Sequence, residues 1–104
     1  LRLNPDYTDA HFNLGSVLAQ QGRLQEAVVE YTEVLRLSPN DAGAHYTLAN
    51  ILFQQGQLEQ ARAAYVKALE LKPDYTEAQR NLDVVLTRLG QLNEATQPLD
   101  AAGE

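Results

Sequence analysis

Apolar residues in the first third of the chain fall at helical spacing: Ala10, Leu14, Val17 and Leu18, then, after a polar break, Leu24, Ala27, Val28, Tyr31, Val34 and Leu35. Steps of three and four place such residues along one side of an α-helix, so the stretch predicts two amphipathic helices. The break between them, Gln20 to Ala27, reads QQGRLQEA. Near copies recur as QQGQLEQA from Gln54 and RLGQLNEA from Arg88. A residue in the left-handed conformation closes a helix end, and glycine adopts that conformation without steric penalty. Gly22, Gly56 and Gly90 are therefore each expected to stop a helix, and the leucine and alanine that follow are expected to seat the next one.

The copies keep a fixed interval. Pro5, Pro39 and Pro73 lie 34 residues apart, and so do the three glycines, Ala27 with Ala61 and Ala95, and Leu14 with Leu48 and Leu82. His11 and His45 obey the same step, as do Tyr31 and Tyr65. A period of this length marks a supersecondary unit that buries its apolar side by stacking on its neighbours. Pro39 is expected to end the second helix of a unit and to lead, through Asn40 and Asp41, to a side-chain cap for the next helix. Gly15 and Ala27 are small where two antiparallel helices of one hairpin must approach closely.

With a period of 34, a helix-turn-helix unit and the order Leu14, Gly15, Leu18, Gly22, Ala27, Tyr31, Pro39, the chain resembles the tetratricopeptide repeat family over essentially its whole length. The resemblance implies an all-α fold, an α-solenoid of antiparallel helix-turn-helix repeats forming a segment of right-handed superhelix. Starting the register at Thr8 makes 8–41 repeat one, 42–75 repeat two and 76–104 an incomplete, atypical repeat three, with 1–7 the tail of a preceding repeat. That tail, the absence of methionine and the opening LRLNPDY read as a segment of a longer protein. Two residues depart from the pattern. Asp83 stands where the other copies have Gly15 and Ala49, a carboxylate that is costly to bury unpaired, and Pro98 falls inside the last expected helix. Repeat three is expected to be looser or differently packed.

At 104 residues the chain is long enough for a single domain with its own core. It has no cysteine, which excludes disulfides, thiolate nucleophiles and cysteine metal sites; the compartment stays open, with the cytoplasm favoured. A formal charge of −6, with eight scattered Lys and Arg, argues against nucleic acid, whose phosphates need clustered cations. No apolar run approaches the ~20 residues that cross a bilayer, so no membrane insertion by this segment is expected.

Candidate chemistry is sparse. His11 and His45 share a repeat position that the family fills with a large packing side chain, and no carboxylate or third ligand stands at fixed spacing from them. Glu26, Glu30 and Glu33 lie at helical neighbour spacing on a polar, solvated face, and Gly15 and Gly22 lack the strand and Gly-Lys-Ser signature of a phosphate loop. A chain without catalytic residues, metal or cofactor is expected.

The resemblance also implies a concave groove lined by the first helix of each repeat. Carried over by position, its candidate peptide-binding residues are Phe12, Asn13 and Ser16, then Tyr46, Thr47, Asn50 and Phe53, then Arg80, Asn81 and Arg88. Aromatics offer contact area, amides pair with the backbone of an extended peptide, and arginines meet a carboxylate. Each aromatic also has a plainer reading, as packing against the neighbouring repeat. Phe12 and Ser16 stand where chaperone-binding members carry Lys and Asn, so that carboxylate clamp is absent. AHFNLG and AHYTLA resemble repeats of O-linked N-acetylglucosamine transferases; Asn13 and Asn81 match the asparagine ladder of those repeats, and Thr47 breaks it. The expected function is a protein-interaction module that binds a peptide segment of a partner. The alternatives are the targeting arm of a larger enzyme and self-association through exposed terminal repeat faces.

Overall fold

The computed structural model describes residues 5–96. Five helices follow one another: α1 (Pro5–Gln20), α2 (Leu24–Leu37), α3 (Ala42–Gln54), α4 (Leu58–Leu71) and α5 (Thr76–Thr96). α1 pairs with α2 and α3 with α4 as hairpins, while α2 packs on α3 and α4 on α5. The architecture is an all-α helical repeat solenoid.

The first two corners form as their sequence dictates. Gly22 and Gly56 both sit at φ 78°. The Gly22 N–H donates to the Ala19 carbonyl and the Arg23 N–H to that of Leu18; Gly56 and Gln57 repeat the pair onto Phe53 and Leu52. These are the two bonds of a glycine-terminated helix end, and they satisfy carbonyls that the helix leaves open.

At the third corner the structure departs from the sequence-based expectation. α5 runs unbroken through Gly90, with no turn there. The difference follows from what surrounds the glycine. A corner holds only if the returning helix finds a place to pack, and that place in repeat three is Asp83, which stays exposed and accepts a hydrogen bond from Gln79. In repeat one the same position is Gly15, where an added Cβ would lie 2.8 Å from the Tyr31 ring. Pro98, Leu1 and Leu3 lie outside the described residues. α1 also begins early, at Pro5, whereas Pro39 and Pro73 lie in the connections before α3 and α5. Proline suits a first helical position, because its missing N–H is not needed there.

Two clusters make the core. Leu18, Ala27, Tyr31 and Ile51 form one across repeats one and two; Ala49, Leu52, Ala61, Tyr65, Ala68, Ala78, Leu82 and Val85 form the other, joining α3, α4 and α5. Tyr31 and Tyr65 are its largest fully buried side chains, each enclosed beside a small residue of the preceding helix.

Asp41 caps α3, its Oδ1 accepting from the Ala44 N–H at 3.0 Å. The residues before α2 and α4, Arg23 and Gln57, make no such bond. Asp41→Ala is expected to cost about 1 kcal/mol in urea unfolding, and Asp41→Asn much less, because the amide oxygen can still accept. Equal loss in both variants would assign the effect to charge.

Candidate functional site

The first helices of the three repeats, α1, α3 and α5, carry all ten candidate residues. A connected group forms where α3 meets α5. Asn50 Oδ1 accepts from the Tyr65 hydroxyl of α4 and from Asn81 Nδ2, the latter at 2.9 Å. Asn81 Nδ2 also reaches the Tyr46 hydroxyl at 3.4 Å. The Tyr46 ring lies tilted against Tyr65 and Tyr75, with centroids 6.0 and 4.9 Å away. At the other end of α3, Phe53 lies under the Arg88 guanidinium, 5.3 Å from its ring centre, a cation–π contact.

The remaining candidates lie apart from this group. Phe12 packs edge-on against Tyr31 at 5.1 Å, and Ser16 stands near the same phenol. Thr47 turns back to donate to the Gly43 carbonyl of its own helix. Asn13 and Arg80 are exposed. The packing reading thus describes part of what each aromatic does, since Phe12, Tyr46 and Phe53 are all half-buried against the core.

Three tyrosines outside the candidate set organise the site. Burial pushes the Tyr65 phenol up to about 12; the nearby Asn81 amide works against the shift and Tyr46 adds to it. Burial also raises Tyr31, with Ser16 opposing, and raises Tyr75, whose neighbours Tyr46, Glu77 and Asp41 act in the same direction. The recurrence of Tyr31 and Tyr65 at one repeat position was the available signal. Both fill the core, and Tyr65 also presents its hydroxyl to the first helix of its repeat.

The histidines take different partners. His11 Nδ1 lies 2.6 Å from Glu30 Oε1, a carboxylate contact that sequence spacing did not reveal, whereas His45 Nε2 donates to the Pro39 carbonyl at 2.9 Å. The position equivalent to Glu30 in repeat two is Ala64, which accounts for the difference. Among the described residues no three His, Cys, Asp or Glu side chains converge as a metal site. Glu26 and Glu33 pair with Arg23 and Arg36 on exposed helix surface, contacts of a kind that contributes little to stability.

A solenoid of 34-residue helical hairpins with an amide and aromatic face on its first helices defines a class of repeat protein. The family model described as TPR repeat matches residues 15–56 and 49–90, more than half of the chain, and the chain belongs to the tetratricopeptide repeat family. A crystal structure of MamA superposes with a TM-score of 0.78 at 25% identity, covering 85% of this chain and 52% of that one. A second MamA structure gives 0.77 at 25% identity, over 85% and 48%. A mutant O-GlcNAc transferase of Thermobaculum terrenum gives 0.73 at 35% identity, over 79% of this chain and 16% of the transferase. The chain therefore spans about half of the MamA chains and a small part of the transferase. No curated protein matches it significantly. TPR repeats are protein–protein interaction modules, and their fold is generally noncatalytic.

Proposed function

We propose that the chain binds an extended peptide segment of a partner protein along the face formed by α1, α3 and α5. The observation that carries this is the orientation of two amides. Asn50 Oδ1 is held by two donors and Asn81 Nδ2 donates inward, so the two amides are locked to each other, and reversing both together keeps the pairing and only exchanges the outward donor and acceptor. Asn50 is left with its NH2 to offer and Asn81 with its carbonyl. A donor and an acceptor side by side suit the C=O and N–H of a peptide backbone, which every sequence carries. Arg88 over Phe53 and the exposed Arg80 supply positive charge for an acidic side chain or a terminal carboxylate.

Peptides selected from a random dodecamer display library on the intact chain provide the probe. Asn81→Ala is expected to weaken them about tenfold or more, and the pair Arg80→Ala with Arg88→Ala to weaken acidic peptides preferentially, with circular dichroism unchanged. Affinity unaltered in both would sink the reading. Asn50 is a poorer test, because its removal also strands the Tyr65 hydroxyl.

Similarity to the transferase repeats supports a further possibility, that such a face serves as the targeting arm of a larger enzyme.

A further inference from the structure

The cations of the chain divide into two groups. Arg23, Arg36, Arg62 and Lys67 each pair with a glutamate three residues away, so their charge is answered locally. Lys72, Arg80 and Arg88 form no ion pair among the described residues, and all three lie on α5 or in the connection that leads into it. Two of them rest on aromatic rings that border α3. Lys72 Nζ is 4.6 Å from the centre of the Tyr75 ring, which itself lies 4.9 Å from Tyr46 of α3. Arg88 Cζ is 5.3 Å from the centre of Phe53, seven residues beyond Tyr46 on the same helix. A ring face holds a cation in place without neutralising it, so both stay available to an anion. Arg80 stands one period after Tyr46, at the equivalent place on α5. The paired amides of Asn50 and Asn81 fall between the two ends.

We propose that this face selects a peptide with two separated side-chain carboxylates, one meeting Lys72 and Arg80 and the other meeting Arg88, with neutral residues between them on Asn50 and Asn81. The inference rests on the peptide reading of the face and names the class of peptide it takes. The separation follows from the helix. Arg88 lies twelve residues past Thr76, about 18 Å along α5 at 1.5 Å per residue, and Lys72 stands just before that start. An extended peptide rising about 3.3 Å per residue covers this distance in about five or six residues. The surroundings make the spacing selective. The chain carries a formal charge of −6, and Asp41 and Glu77 lie near the Tyr75 end, so an acidic residue out of step with the cations meets repulsion. Lys72, Arg80 and Arg88 are exposed, and contacts there are modest in strength and weakened by salt.

Selection of random dodecamers on the intact chain at low salt tests this, and is expected to enrich pairs of Asp or Glu about five or six residues apart. One such peptide, made with an amidated C-terminus so that only its side chains carry negative charge, is then titrated by fluorescence anisotropy. Replacing either acid by its amide is expected to weaken binding about two- to fivefold, and raising the salt to narrow that difference. The loss at one acid is expected to vanish in Lys72→Ala and the loss at the other in Arg88→Ala. Lys72→Glu is expected to recover affinity for a peptide with lysine in place of the first acid, which a merely structural role for Lys72 would not produce. Peptides that need Asn81 but bind equally with and without their acids overturn the inference and leave the reading of the face intact. Peptides that need their acids, Lys72 and Arg88 but not Asn81 support the charge pattern and remove the amide reading. Acid dependence that persists undiminished in both Lys72→Ala and Arg88→Ala places the carboxylates elsewhere and overturns the inference.

Discussion

Tyr65→Ala is expected to destabilise the chain by about 3–5 kcal/mol, the range for removing a large buried aromatic side chain. Total stability for a domain of this size is about 5–15 kcal/mol, so the variant loses much or all of its folded population. Two effects combine. The ring is fully buried in the cluster that joins α3, α4 and α5, and its removal opens a cavity between rigid helices. Its hydroxyl also donates to Asn50, which would be left with Asn81 alone. Tyr65→Phe separates the two, keeping the ring and losing the donor, and is expected to cost about 1–2 kcal/mol.

Alkaline titration gives an independent readout of the same side chain. The folded state holds the phenol proton up to about 12, against an ordinary tyrosine value of 10.0. Between those values the unfolded chain has released the proton and the folded chain has not, so stability falls as pH rises from 10 towards 12. Below pH 10 the group contributes no slope. Tyr65→Phe is expected to flatten the decline in part, since the raised phenols of Tyr31 and Tyr75 continue to act. Guanidinium unfolding at pH 8, 10 and 11 measures it; an unchanged slope in the variant would contradict the assignment.

The second large effect is a change of sign between residues that look equivalent. Gly56→Ala is expected to destabilise by about 1–2 kcal/mol, because φ 78° brings an L side chain against its own backbone. Gly90→Ala is expected to stabilise by up to about 1 kcal/mol, since that residue lies inside a helix with open space around it. Thermal unfolding of both in dilute solution decides it. Destabilisation by Gly90→Ala matching that of Gly56→Ala would mean that the third corner turns in solution as the other two do.

These two cases mark where sequence was informative. The period, the hairpins and the caps at Gly22, Gly56 and Asp41 are local features, decided by a few neighbouring residues whose conformational preferences are strong. Gly90 carries the same local signal, but a helix stops there only if the following segment packs back, and that depends on a distant position, Asp83. The cost of burying Asp83 was legible; its consequence for the corner was a tertiary matter. The candidate face shows the same division. Its residues could be placed on the first helices from their register, whereas the bond from Tyr65 to Asn50 joins different helices and depends on side-chain reach. The His11 contact with Glu30 was hidden for the same reason, since 19 residues separate the pair in sequence.

In the proposed complex a peptide backbone docks on the outward ends of Asn50 and Asn81. Titrating isotope-labelled chain with a library-selected peptide, and following side-chain amide resonances by NMR, tests it most directly. The Asn50 and Asn81 NH2 signals are expected to shift with the binding isotherm, together with backbone signals of α3 and α5. Shifts confined to α2 and α4, with both asparagine signals unmoved at saturation, would contradict it.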